Sequence, residues 1–253
     1  MKLLVLTLAL WGSICGDILD VARAYLGVPY VAGTLESPDG EERLITCEDN
    51  LDCTTFVELS VARWLAQQSD SLAFEQWVER LRYREGMIDG YLSRLHYFTD
   101  WVEENTRRGV WHELTPTNED NPIWHTDTLN LSFMSEHPQS YPYLSDNPWA
   151  IDSLRSIELK YAHHPIYYIG KEHLGLTPEE LPIKDGDIVA LVTTIEGLDV
   201  THLGFAIWRG ETLHLMHASM KHGKVVIDER SLYEYLQGRK SCPGVRVVRL
   251  RER

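Results

Sequence analysis

Basic residues are scarce in this chain of 253: 24 Lys and Arg stand against 38 Asp and Glu, a formal net charge of −14. No basic patch offsets the excess, so nucleic acid and other polyanions are excluded as partners. Neither an internal repeat nor a low-complexity segment is present, which excludes repeat architectures. Apolar runs long enough to cross a bilayer are missing too. The 11 histidines include no H-E-x-x-H or comparable ligand spacing. The adjacent pair His163 and His164 would diverge on a strand or helix, so no metal or other cofactor is expected. Strands never alternate with helices in a βαβ pattern, which argues against a parallel sheet.

What remains is ordinary globular composition, 43% hydrophobic and 10% aromatic. The N-terminus "MKLLVLTLALWGSICG" sets one Lys before an apolar run of roughly ten residues and then small residues, the layout of a secretory signal. Residues 1–16 are therefore expected to direct export, to a periplasmic location, with cleavage near Cys15 or Gly16. Two other readings stay open: Cys15 as the acylated first residue of a membrane-anchored lipoprotein, although Ile14 weakens "GSIC" as a lipobox, and a buried N-terminal helix. After processing, Cys47, Cys53 and Cys242 remain. An odd count leaves at least one thiol unpaired in an oxidising compartment or paired between chains, and a Cys47–Cys242 disulfide is one arrangement that frees Cys53.

From Asp17 onward, "DILDVARAYLG" spaces apolar residues at helical intervals, and a second helix is predicted over about 53–68 with Asp52 as its cap. Residues from about 70 to 182 mix aromatics, charges, Pro and short helical patterns, and read as a mostly helical insertion with its own small core or as a substrate-shaping wall. The last 70 or so residues switch to short β-rich segments separated by Gly-bearing turns. The fold class is α+β: N-terminal helices, a small antiparallel sheet and a large helical insertion, in one domain over 17–253.

Within "LDCTTFVELS", Cys53 opens the second helix, where unpaired backbone N–H groups and the helix dipole favour a thiolate. A nucleophilic thiol needs a base and a group to orient that base. If Arg209 and Gly210 form a two-residue hairpin loop, His202 falls opposite His217, on one face, with Cβ atoms roughly 5 Å apart. The same alternation sends His214 to the other face.

The stretches "LGVPYVAG", "LDCTTFVE", "THLGFAIW" and "MHAS", in that order, resemble the NlpC-type family of papain-like cell-wall hydrolases, whose typical forms are PYxxGG, DCSGFV, HVGIYxG and HAS. The resemblance covers about 110 residues, over 17–68 and 183–250. It implies Cys53 as nucleophile, His202 as base, His217 as the residue that orients the base, and Tyr30 as a residue bordering the substrate. Ala32, Thr34 and "CTTF" depart from the family forms, and with the long insertion they resemble a divergent N-acetylmuramoyl-L-alanine amidase-like branch.

The implied reaction is hydrolysis of the lactyl–L-Ala amide of muropeptides, the peptidoglycan fragments that would be this chain's partners. The resemblance leaves two alternatives: an endopeptidase cutting between D-Glu and the diamino acid, and a muropeptide-binding module without turnover. Arg155, Lys160 and Lys171 are the cations in the insertion expected to meet stem-peptide carboxylates.

Overall fold

The structure is a computed structural model that describes residues 16–37, 41–68, 71–118 and 120–251. The expected signal at 1–16, with Cys15, therefore lies outside the described residues apart from Gly16. No helix among the described residues is long and apolar enough to cross a membrane.

Helix α1 (Ile18–Arg23) packs on α2 (Cys53–Gln68), and the chain continues through α3 (Phe74–Arg82), α4 (Phe98–Arg107), β1 (Trp111–Glu113), β2 (Trp124–Leu129), α5 (Phe133–Glu136), α6 (Pro148–Glu158) and β3 (His164–Gly170). It then runs through β4 (Ile188–Val192), β5 (Val200–Arg209), β6 (Thr212–Ser219), β7 (Lys224–Ile227), α7 (Leu232–Gln237) and β8 (Gly244–Leu250). The eight strands form one antiparallel sheet in the order β2-β3-β8-β4-β5-β6-β7, with β1 also paired to β8. A mixed α/β architecture with an antiparallel sheet agrees with the α+β expectation.

One expectation is corrected here: the sheet is not small, because segments β1, β2 and β3 of the insertion extend it beyond β8. Their sequences carry no clean alternation, because β2 is largely exposed and lies at the sheet edge. The insertion is otherwise mostly helical, as expected, carrying α3 to α6. The insertion does own a separate core, in which Tyr97, Leu144, Leu154 and Tyr161 pack together.

Period-2 alternation gives the central strands two buried faces. Ile188, Ala190, Leu203, Phe205 and Met216 pack against Phe56, Val57 and Val61 of α2, while Val189, Leu191, Ala206, Leu215 and Val247 pack against Leu232 and Leu236 of α7. Burying large aliphatic and aromatic side chains contributes about 1.5–3 kcal/mol each. The central strands, with helices on both faces, form a rigid platform for whatever they carry.

Candidate active site

Cys53 is the first residue of α2 because Asp52 caps that helix. Asp52 Oδ1 accepts from the Thr55 backbone N–H at 2.8 Å, and Thr55 Oγ1 accepts from the Asp52 N–H at 2.9 Å, a reciprocal cap of the S/T-x-x-E type in altered dress. Thr34 Oγ1 donates to Asp52 Oδ2 at 3.1 Å and lies 3.4 Å from Thr55 Oγ1. Thr34 and Thr55 occupy two positions where the family forms have Gly. The two departures thus meet as one hydroxyl cluster around the Asp52 carboxylate.

His202 and His217 come from neighbouring strands, in a register that differs from the expected one. Arg209 pairs with Thr212 and Phe205 with Met216, so the hairpin loop is Gly210–Glu211 and not Arg209–Gly210. Gly210, with φ of 61°, sits at the first central position, as a type II′ turn requires. The signal was the Gly-X dipeptide, and the error shifts the pairing by two residues. Shifting by an even number preserves the face, so His202 and His217 become diagonal neighbours, not directly opposed ones.

His202 Nε2 lies 2.5 Å from His217 Nδ1, with the rings edge to face at 4.8 Å between centroids. Gly204, beside them on β5, cannot carry a side chain: a Cβ there would stand 2.4 Å from the Met216 carbonyl oxygen and 3.0 Å from His217 Cβ. His214 turns to the other face, its Nδ1 3.0 Å from the Asp228 carbonyl oxygen.

His217 is 1% exposed, and its Nε2 has no hydrogen-bond partner; the nearest carboxylate oxygen paired with it is Asp228 Oδ2 at 3.8 Å. Asp228 is itself held by Arg230 through Nε and NH2 at 3.0 and 2.9 Å. Burial opposes ionisation of that carboxyl, but the Arg230 hydrogen bonds hold it below the usual carboxylate range. Asp228 had no place in the sequence reading. Its only signal was an acidic residue at the end of β7, which no spacing rule connects to His217.

Cys53 approaches from the α2 face of the sheet, round the start of β5. Thr201 is an extra residue there, since Leu191 pairs with His202 and Val192 with Val200, a bulge that re-aims the strand end. Backbone N–H groups of Leu203 and Thr54 and the Thr54 hydroxyl point at the sulfur. These favour an anion, yet burial first and the Asp52 charge second push the Cys53 thiol up to about 11. Burial, with the charges of His217 and Arg239 added, pulls His202 down to about 3, and burial pulls His217 down to about 4. Burial and the capping carboxylate thus oppose the thiolate that the helix start favours, and burial likewise opposes charge on both imidazoles.

Cys53, Thr201 and His202 form the wall between two cavities. One, of about 140 Å³, is lined by Tyr97, Phe98 and Trp101 of the insertion with His96, Leu198 and Asp199. The other, of about 280 Å³, is lined by Tyr30, His217, Lys221, Arg230, Tyr235 and Arg239. All four expected site residues thus border one continuous locus. Burial and the nearby Cys53 and Asp52 charges raise the Tyr30 phenol, in keeping with its position beside the sulfur.

The cations at the site are not those expected. Arg155 is paired with Asp152 on an exposed helix face, Lys171 donates to the Arg239 carbonyl, and neither these two nor Lys160 lines either cavity. Cys47 is exposed and Cys242 is buried against α7, both as free thiols, so the suggested disulfide is absent.

The insertion is tied to the site by a buried network. Asp199, just before β5, accepts from Thr99 N and Oγ1 at 2.7 and 2.9 Å at the start of α4, where helix dipole and unpaired N–H groups favour a carboxylate. Arg246, 1% exposed, reaches the same Thr99 hydroxyl at 2.7 Å while bonding Glu113 through two nitrogens.

The family model described as AmiA-like, N-acetylmuramoyl-L-alanine amidase-like, matches residues 20–245. A crystal structure named an N-acetylmuramoyl-L-alanine amidase, from Bacteroides uniformis, is 40% identical with a TM-score of 0.85, covering 93% of this chain and 98% of its own. A protein from Bacteroides fragilis, provisionally called a xylanase, is 42% identical with a TM-score of 0.82, covering 91% of this chain and 100% of its own. Protein LPG0564 from Legionella pneumophila, at 24% identity and a TM-score of 0.69 over 94% of this chain and 89% of its own, shares the fold. No curated protein matches the sequence.

Proposed function

The chain belongs to the AmiA-like family of N-acetylmuramoyl-L-alanine amidase-like proteins, and from that premise we propose that it is a cysteine-dependent hydrolase of the papain-like, NlpC type. Its substrate is the amide joining the lactyl group of muramic acid to the L-Ala of a peptide stem. The observation that carries the reading is the placement of Cys53 and His202 on the wall between two cavities of unlike character. An amide with a sugar on one side and a charged peptide on the other calls for that kind of divided site.

With burial opposing charge on Cys53 and His202 alike, His202 acts first as a general base. The Cys53 S–H proton passes to His202 as sulfur attacks the carbonyl carbon. The Cys53 N–H, in the first turn where the helix has no acceptor for it, faces the developing oxyanion; one such donor contributes about 2.7–4 kcal/mol. Collapse breaks the C–N bond, and His202 returns the proton to the leaving L-Ala amine. Water then hydrolyses the thioester with His202 as base, releasing the lactyl carboxylate and the thiol.

The 2.5 Å contact supports the tautomers this sequence needs. For His202 to accept from sulfur on Nδ1, its Nε2 must carry hydrogen and donate to His217 Nδ1. His217 then bears hydrogen on Nε2, the atom that faces Asp228. Asp228 therefore serves as a positioning residue that favours this tautomer and steadies the positive charge spread over the histidine pair.

The peptide stem carries carboxylates, and we assign it to the cavity bearing Lys221, Arg230 and Arg239, leaving the aromatic cavity for the sugar side. Glycoside hydrolysis, which the name of the Bacteroides fragilis relative suggests, needs two carboxyl groups across the scissile bond. Asp199 is the one acidic residue among those lining the two cavities, and Thr99 already engages it. The N-terminal segment supports export as a further part of the reading.

Mass spectrometry of products from a defined muropeptide tests it. Release of an intact stem with a free L-Ala amine, abolished in Cys53→Ala, is expected. A fragment bearing L-Ala-D-Glu would instead identify the endopeptidase, and hydrolysis unchanged in Cys53→Ala would remove the cysteine mechanism.

A further inference from the structure

Far from the catalytic wall, at the outer end of the sheet, two histidines and a glutamate converge. His125 lies on edge strand β2, and Glu172 and His173 lie in the 3-10 turn that follows β3. His125 Nε2 is 2.8 Å from Glu172 Oε1, and His173 Nε2 is 3.6 Å from the same oxygen. All three ligand atoms fall within 4.8 Å of one another. No residue spacing hints at this cluster, because His125 and Glu172 are 47 positions apart and only the β2–β3 pairing brings them together.

We propose that His125, Glu172 and His173 form a zinc site, with water as the fourth ligand. Zn–N and Zn–O bonds of about 2.0–2.2 Å in a tetrahedron set ligand atoms roughly 3.3–3.5 Å apart. The observed 2.8 and 3.6 Å bracket that spacing and the two imidazoles lie within 4.8 Å, so partly exposed side chains need move by only about an ångström to enclose an ion. A simple His–Glu hydrogen bond accounts for the first contact but not for the second imidazole converging on the same oxygen.

The backbone makes room for the cluster as well. A Cβ at Gly170 would stand 2.4 Å from Glu172 Oε1 and 2.6 Å from His125 Nε2, so the glycine keeps open the space in which the two side chains meet. The His125 ring is further oriented by stacking on Tyr168, its cross-strand partner, at 5.3 Å and 15° between planes. Two neutral imidazoles and a carboxylate are a borderline-soft donor set that suits Zn²⁺ over Mg²⁺ or Ca²⁺. Binding would join the edge hairpin to the turn whose Lys171 holds the Arg239 carbonyl, and so stiffen this end of the fold.

The test is calorimetric titration of Zn²⁺ into the full chain carrying Cys53→Ala, which removes the reactive thiol as a competing ligand, alongside thermal melting. One equivalent of zinc bound, with a raised Tm that Mg²⁺ does not reproduce, is the expected result. Glu172→Gln and His173→Ala should each weaken binding by about tenfold or more while leaving the zinc-free circular dichroism spectrum unchanged. Absence of zinc binding, or binding in both variants as tight as in the chain that keeps Glu172 and His173, overturns the proposal. Neither outcome bears on amide hydrolysis, because the site is independent of the cysteine reading.

Discussion

His217 Nδ1 sits 2.5 Å from His202 Nε2, while its other nitrogen faces Asp228 across 3.8 Å. One imidazole thus stands between a base and a carboxylate. Asp228→Asn keeps the shape and removes the charge. The expected result is a fall in kcat on the order of 10–100-fold with little change in KM, together with a displaced acid limb of the pH–rate profile. Steady-state kinetics across pH on a muropeptide would check this, and a wild-type profile with Cys53→Ala inactive would discard Asp228 alone.

Alkylation by iodoacetamide reads the protonation state of Cys53. With the thiol pushed up to about 11, the rate should climb with pH through the alkaline range. A plateau already reached near pH 5–6 would mean a resting thiolate–imidazolium pair.

Asp52→Asn separates two effects that the wild-type residue combines. The cap is weakened, by about 1 kcal/mol or less since Asn also caps well. Loss of the carboxylate charge, the second cause of the raised thiol, should bring the alkylation curve to lower pH. Denaturant melts and alkylation rates measured together would show the two changes.

Gly204→Ala places a methyl 2.4 Å from the Met216 carbonyl oxygen, so β5 and β6 must part. A loss of about 1–3 kcal/mol in stability is expected, as for overpacking elsewhere. Activity should fall further than stability explains, because His217 Cβ is the second atom struck. Comparing kcat with the folded fraction from urea titration decides it.

Acid should unfold the protein early. Burial holds His96 and His202 down to about 3 and His217 down to about 4, against a usual value near 6.5. Between those limits the unfolded chain binds more protons than the folded one, so this stability is complete above about pH 6.5 and drains away as pH falls toward 3–4. Each group contributes at most about 1.4 kcal/mol per pH unit, less for the coupled His202–His217 pair and for the parts open to the cavities. A Tm that stays constant from pH 7 to pH 4.5 would contradict the assignment.

Much of this molecule was legible beforehand, for physical reasons. The five C-terminal strands announced themselves through β-branched runs cut by glycines, and the Asp52 cap with Cys53 at the head of α2 followed from helix-start chemistry. Face parity for His202 and His217 survived a wrong hairpin because side-chain alternation tolerates even shifts. What escaped depends on long-range contact: strands β1 to β3, where partial exposure blurs the hydrophobic pattern, and Asp228, Lys221 and Arg239, which only the folded chain brings to the site. The thiol's raised pKa also escaped, since burial at the strand end cannot be read from a helix start.

The buried line from Glu113 through Arg246 and Thr99 to Asp199 crosses between the insertion and the strand that bears His202. Excising residues 70–182 would take Glu113 and Thr99 away together, and with them the hydrogen bonds that hold the buried Arg246 guanidinium. A chain cut back to its flanking parts would have to find a new counter-ion for that guanidinium before the strand bearing His202 could settle, so the middle segment is scaffolding and not trim.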